Sequence, residues 1–421
     1  MPEDQGQIVQ SRNPANNSGK WPAALSSLRI KSFRWLWLGN FSGTSGMQMQ
    51  MVARGWLVYS MTDSPLALGL VSAGWGVPVL IFSLYGGIVA DRVRKRNLLL
   101  LTQVCICLLT VIITILIATD LIRVWHLVLA SVLAGVIISF SMPARQAFLL
   151  ELVGKDDLTN AIALASTGMN ICQIVSPAVA GVLLKIIGVP GVYSIVAISY
   201  GLAALMLLKI PAGGIMAARP NVPVMRDLMD GFRYVIKNKA LFSLILISFI
   251  SIFIAMPYSM LMPVFAKSVF MAGETGLGLL MSAIGLGALC GSAAIAFLGN
   301  FKRKGTLMFL AGIGFSVSLV VFGSLKSFYP ALFVLLFVGG GSSMFFIIIN
   351  TLIMRHTDQE LIGRVMSIYT WTFGLMPLAM IPSGAFAQFF GAPITVILSG
   401  GILTLFLILV MLRRPGLREL G

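Results

Sequence analysis

The sequence predicts an all-α membrane protein with twelve transmembrane helices in two pseudo-symmetric six-helix bundles, and three observations predict it. Of 421 residues, 58% are hydrophobic and 10% charged, so apolar runs fill most of the length. At about 20 residues per crossing, such runs allow about a dozen spans and leave no room for a large soluble module. The basic residues crowd into alternate connections between the runs. Finally, segments recur at an offset of about 204 to 210 residues in the same orientation, which implies a parallel six-plus-six repeat.

In chain order, residues 1–28 are rich in Asn, Ser, Gln, Pro and Gly without an apolar core, and read as a disordered tail rather than a cleavable signal peptide. An N-terminal bundle over 29–210 holds apolar helical runs at about 33–60, 66–90, 98–119, 124–148, 158–187 and 190–210. The connection 211–239 places Met225, Leu228, Phe232, Val235 and Ile236 at helical spacing among basic residues. A basic amphipathic helix on the inner leaflet fits it, and a plain linker with one solvated turn is the alternative. A C-terminal bundle over 240–412 holds runs at about 240–266, 274–298, 306–325, 329–353, 363–389 and 393–412, and 413–421 is a short tail.

Thirty Lys and Arg against fourteen Asp and Glu give a formal charge of +16. Twenty-five of the thirty fall in the two tails and alternate connections, Arg145 and Lys155 being counted together after the fourth run. Arg123, Lys185, Lys267 and Lys326 lie opposite, and Arg54 lies within a run. The positive-inside rule then puts both termini in the cytoplasm of a bacterial-type inner membrane, and the charge reports orientation rather than nucleic acid. Cys105, Cys107, Cys172 and Cys290 sit in apolar runs, where no disulfide, metal or cofactor site is expected.

The repeat is visible in LGLVSAGWG from Leu68 and LGLLMSAIGLG from Leu277, each followed by a basic cluster. After the first of these comes GGIVADRVRKRN, Gly86 to Asn97. It resembles the loop signature of the major facilitator superfamily: Gly87, Asp91, Arg92, Lys95 and Arg96 match, while Arg94 stands where glycine is usual. The resemblance implies a gate in which Asp91 meets the positive N-terminus of the eleventh span near Gly363 and Arg364, and Arg92 or Arg96 pairs with Glu151. Plain membrane anchoring explains the basic residues but not Asp91. In the fifth run SPAVAG resembles the superfamily's antiporter motif at Pro177 and Gly181, where a bend for packing and a part in transport direction are both open. Across nearly the whole chain, including WLVYSMTDSPLALGL, DGFRYVIKN and IGRVMSIY, the sequence is similar to the drug-efflux and siderophore-export branch, which contains enterobactin exporters and macrolide efflux proteins.

A candidate cavity wall comes from the first run. At 100° per residue Asn40, Thr44, Met47, Gln48, Met51 and Arg54 cover a stripe of about 120°, costly against lipid and suited to an aqueous cavity. Mutual satisfaction inside the bundle is the alternative. By pseudo-symmetry Ser248, Ser251, Met256 and Tyr258, with Gly340, Ser343, Phe346 and Asn350, line the other half or simply pack. All fourteen acids can be placed outside the membrane core, so a neutral or anionic amphiphile fits better than a cation.

These features point to a secondary transporter exporting a small amphiphilic molecule by alternating access, with protons, if coupled, entering through a rim acid such as Asp63, Asp91 or Glu151. A lysophospholipid flippase of the same fold is the alternative. An intramembrane enzyme fits less well, since His126 and His356 sit at opposite faces, and no phosphate loop supports an ATP-driven pump. Reporter fusions at Gly188 and Gly305 are expected on opposite sides, extracellular and cytoplasmic; matching signals overturn the topology.

Overall fold

The computed structural model of the chain describes residues 23–154, 157–211, 224–298, 303–359 and 361–420. The expected tail therefore lies outside the described residues up to position 22. Its remainder is ordered: Ala23–Arg29 is a 3-10 helix in which Ser27 donates its amide to Asn160 Oδ1 (3.1 Å) and its hydroxyl to Asp157 O (3.1 Å). The tail boundary at 28 is corrected accordingly.

The first bundle contains α1 (Lys31–Thr62), α2 (Pro65–Arg92), α3 (Lys95–Ala118), α4 (Val124–Val153) and α5 (Leu158–Leu208). α1 stops at Asp63, which turns left-handed with φ 48°. α2 restarts two residues on, where Ser64 accepts a hydrogen bond from Ala67 N–H and Pro65 occupies the first helical position. α5 runs through 51 residues but leaves helical geometry at Gly188, with φ 68°, a turn that favours a residue without a Cβ. The chain reverses there: Gly39 of α1 lies against Ala203, and Trp37, two residues away, lies against Gly168.

α6 (Val224–Lys237) is a helix in the connection where an amphipathic one is expected. Val235 is buried, whereas Met229, Phe232 and Ile236 are more than half exposed. The second bundle starts with α7 (Lys239–Ala255), whose first amides are capped by Asn238 Oδ1. That span continues through a 3-10 turn, Met256–Leu261, and a π turn, Phe265–Val269, where Pro257 and Pro263 withhold backbone donors. Then follow α8 (Gly273–Leu298), α9 (Lys304–Ser324), α10 (Phe328–Arg355), α11 (Ile362–Gly374), α12 (Met376–Phe390), α13 (Ala392–Arg413) and α14 (Pro415–Arg418). The last segment is not a loose tail, because Leu417 is buried and Leu420 O accepts from Gly305 N–H at 2.8 Å.

Among the described residues, ten helical stretches are long and apolar enough to cross a membrane, against twelve expected. Two physical reasons account for the difference. α5 passes as one stretch although it turns back at Gly188, and α1 has the length, at 32 residues, but carries the polar stripe.

Two seams join the bundles, and both rely on close backbone approach. A Cβ on Gly181 would lie 2.9 Å from Gly278 Cα, and one on Gly285 would lie 2.8 Å from Gln173 O, so α5 and α8 meet backbone to backbone. In the other seam a Cβ on Gly69 would lie 2.6 Å from Met380 O, and Gly76 faces Pro377. The repeated segments LGLVSAGWG and LGLLMSAIGLG thus supply equivalent seams, one to each bundle. Pro177 and Gly181 lie in continuous helix, and the departure from helical geometry within α5 is at Gly188. What they build is therefore packing against α8. Gly278→Leu is expected to cost about 1–3 kcal/mol by overpacking, read as a lower melting temperature in detergent; unchanged melting refutes the seam's tightness.

Candidate substrate cavity and gate

Gly87 and Asp91 fall in the last turns of α2, and their side chains lie outside the described residues. Arg94, in the position where glycine is usual, has φ −62°, a conformation open to any residue, so the loop bears no strain from the substitution. The expected pairing of Arg92 or Arg96 with Glu151 is corrected. Lys95 Nζ holds Glu151 Oε2 at 3.1 Å, and Arg92 is exposed. Arg96 points elsewhere because neighbouring helical residues diverge by about 100°. It donates to Leu207 O (3.2 Å) and Leu208 O (3.1 Å), serving the unpaired carbonyls at the end of α5. Arg364 is the third residue of α11.

Along α1 the polar residues divide into two sets. Ser42, Ser45 and Gln50 bind within the bundle: Ser42 donates to Ser199 O (2.9 Å), Ser45 pairs with Ser176 (2.9 Å), and Gln50 accepts from Tyr200 (2.9 Å). The stripe residues behave differently. Met47 and Met51 are 43% and 39% exposed, and Thr44 and Gln48 are half-buried. Arg54 donates to Ser131 of α4 at 3.1 Å, not to Gln50. It lines a cavity at the junction of the bundles with Met51, Met260, Pro263, Met281 and Met380.

Asn40 also reaches α4, where its Oδ1 accepts from Arg145. Arg145, counted among the cytoplasmic-side basic residues although it falls in the fourth run, lies within α4, eight residues before the helix ends at Val153. The bundle therefore holds two interior arginines where one was expected. Every acid in the spanning helices sits in a first or last turn: Asp91, Glu151 and Glu274.

The C-terminal candidates separate. Ser251 is fully buried and donates to Ile247 O (2.7 Å), and Tyr258 is 5% exposed with its ring 6.3 Å from that of Phe315. Both are packing residues in this conformation, a correction to their expected place on the wall. Ser343, Phe346 and Asn350 are half-buried, and Phe346 packs on Phe373 at 5.5 Å.

Polar contacts between the bundles gather at the Asp63 end. Asp63 Oδ1 and Lys267 Nζ are 2.7 Å apart, Tyr59 pairs with Ser268 (2.8 Å), and Ser64 donates to Gln388 Oε1 (2.8 Å). Sequence reasoning assigned Lys267 only to a loop. The αL residue ending α1 and the π turn that presents Lys267 are three-dimensional facts with no sequence signal beyond opposite charges.

The known proteins agree with this architecture. The chain is 26% identical over 85% of its length to the staphyloferrin A transporter of Staphylococcus aureus, covering 88% of that protein. It is 24% identical over 88% to macrolide efflux protein A of Streptococcus pyogenes (93% of that protein), and 25% identical over 84% to the enterobactin exporter EntS of Citrobacter koseri (85%). Its fold matches a crystallised peptide transporter, POT, with a TM-score of 0.75 at 13% identity, covering 93% of this chain and 96% of that one. The nucleoside transporter NupG gives 0.73 at 14%, covering 90% and 99%. Residues 22–420 match the family described as transmembrane secretion effector, and the chain belongs to that family of major facilitator transporters.

Proposed function

We propose that the chain exports a small amphiphilic molecule, neutral or anionic and of siderophore or macrolide type, by alternating access across a bacterial-type inner membrane. The observation that carries this reading is Arg54. It stands at the junction of the bundles, partnered among the described residues by one serine hydroxyl and with no carboxylate among them in the middle of any span, beside adaptable methionine surface. A cargo oxygen is the natural further acceptor for the guanidinium. Staphyloferrin A, enterobactin and macrolide carriers among its relatives support the same class of cargo.

The positive-inside rule makes the Asp63 end extracellular, so the polar contacts and seams there hold the outer side closed in this conformation. Asp91, at the inner end of α2, is the group whose charge would favour closing the inner side against the N-terminus of α11. Proton entry through Asp63, Asp91 or Glu151 completes the cycle, since arginine does not titrate. Exposed Met47 and Met51 would equally suit an acyl chain, which is the lysophospholipid flippase reading.

Everted vesicles incubated with a radiolabelled panel test the proposal. Uptake of a macrolide or siderophore that collapses with an uncoupler is expected; uptake of lysophospholipid alone replaces export by flipping, and uptake of neither refutes both. Arg54→Gln is expected to weaken cargo binding about tenfold or more, the worth of one charge-assisted hydrogen bond. Arg54→Lys is expected to recover only part, because an ammonium lacks the planar fork. Unchanged affinity removes Arg54 from the site. Asp91→Asn is expected to insert normally yet transport at least about tenfold more slowly, and a wild-type rate refutes the gate.

A further inference from the structure

Arg145 is the interior cation that the proposed cycle does not use. It lies in α4 at the inner half of the first bundle and, among the described residues, makes one side-chain hydrogen bond, to Asn40 Oδ1. The same cleft is lined by Gln103 of α3, with Leu36, Leu99 and Ala203 as apolar walls. Gln103 is 8% exposed, and its Nε2 is buried without a hydrogen-bond partner among the described residues. A buried amide donor left unpaired beside a guanidinium is costly for a protein on its own.

Hydrogen-bond donors predominate around this cleft, although the Gln103 amide also carries the acceptor Oε1. Arg145 has further N–H groups beyond the one given to Asn40. Asn40, having accepted through Oδ1, presents Nδ2 as a donor, and Gln103 adds Nε2. Among the described residues no carboxylate lines the cleft. Three donors and one fixed positive charge are complementary to an acceptor-only group, and a carboxylate is the planar anion that a guanidinium fork binds best. Serine or threonine hydroxyls would suit a neutral cargo as well; none is present here.

We propose that Arg145, Asn40 and Gln103 form a carboxylate-binding station on the inner half of the transport route, preceding Arg54. The proposal rests on the export reading and narrows its cargo to molecules bearing carboxylates. Asn40 and Arg54 occupy the same stripe of α1, fourteen residues apart, which is about 21 Å along the helix. A carboxylate entering from the cytoplasm meets Arg145 first and is handed along a methionine-lined wall to Arg54. Two separated cations on one route keep an anion attracted at both stages while binding it at neither too tightly to leave.

The test is calorimetric titration of the purified full chain in lipid nanodiscs with citrate, and with chloride as the inorganic alternative. Citrate binding is expected in the wild type, weakened at least tenfold in Arg145→Gln and in Gln103→Leu, and partly restored in Arg145→Lys. Gln103→Leu guards against misfolding, because it replaces an unpaired buried amide by an apolar group of similar size and is expected to melt no lower than wild type. Absence of citrate binding, or equal affinity across the variants, overturns the station. Chloride binding with the same variant dependence, without citrate binding, overturns the carboxylate assignment. Because titration needs no transport, a failed vesicle assay beside this variant pattern removes the export reading and leaves the station standing.

Discussion

An arginine within a bilayer must be paired, watered or turned toward a cavity, since hydrocarbon offers it nothing. Much of the first bundle follows from that constraint. α1 carries Arg54, α4 carries Arg145, and each charge is met by a polar residue on the opposite helix, Ser131 and Asn40 respectively. These cross-links fix the rotation of α1 against α4, so the methionines between them face the same way. The other polar residues of α1 are spent on α5, where Ser42, Ser45 and Gln50 find backbone or side-chain partners. One helix therefore has a satisfied face that holds the bundle together and an under-satisfied face that, in the proposed function, meets solvent and cargo.

What closes the Asp63 end is decided by magnitudes. The Asp63–Lys267 pair is short, but Asp63 is 72% exposed, and exposed pairs contribute about 0–1 kcal/mol. Such a contact selects a register; it does not hold two bundles together. The glycine seams can. Where Gly181 meets Gly278 and Gly69 meets Met380, backbones touch over extended helix surfaces, and dispersion accumulates over many atom pairs. A weak latch over a tight but smooth seam is what the proposed alternating access needs. Glycine surfaces slide and part without side chains to disengage, while the ion pair is easily exchanged for water.

Much of this was legible in the sequence, for a reason particular to membranes. Hydrocarbon forces apolar runs of fixed length, so the helices and the repeat were visible before any geometry. The two missing counts were also legible afterwards, in the turn at Gly188 and in the polarity of α1. Pairings were not. Lys95 rather than Arg92 or Arg96 takes Glu151, because helix rotation at the start of α3 decides which of adjacent cations faces α4. Arg145 lay within the fourth run yet was counted with the cytoplasmic basic residues, because a charge count does not show how deep in the bundle a helix places a side chain; α4 runs on to Val153. Ser251 and Tyr258 were proposed from pseudo-symmetry, which maps helices onto one another but does not map their rotation.

The uneven division of chemistry between the halves has a consequence for selectivity. Both interior cations belong to the first bundle, while the second contributes Met260, Pro263 and Met281 to the junction and an aromatic group around Phe346 and Phe373. Arginines read charge at defined points, whereas methionines repack around shapes that differ. In the proposed function, a cavity with one polar wall and one pliant apolar wall would recognise an amphiphile by its polarity rather than its outline. In the proposed alternating access, the polar wall moves as a unit with its own internal hydrogen bonds intact, while the apolar contacts across the junction and the polar contacts at the Asp63 end are remade. Apolar contacts carry no directional penalty, so the change of access need not break a charged interaction at the centre of the membrane.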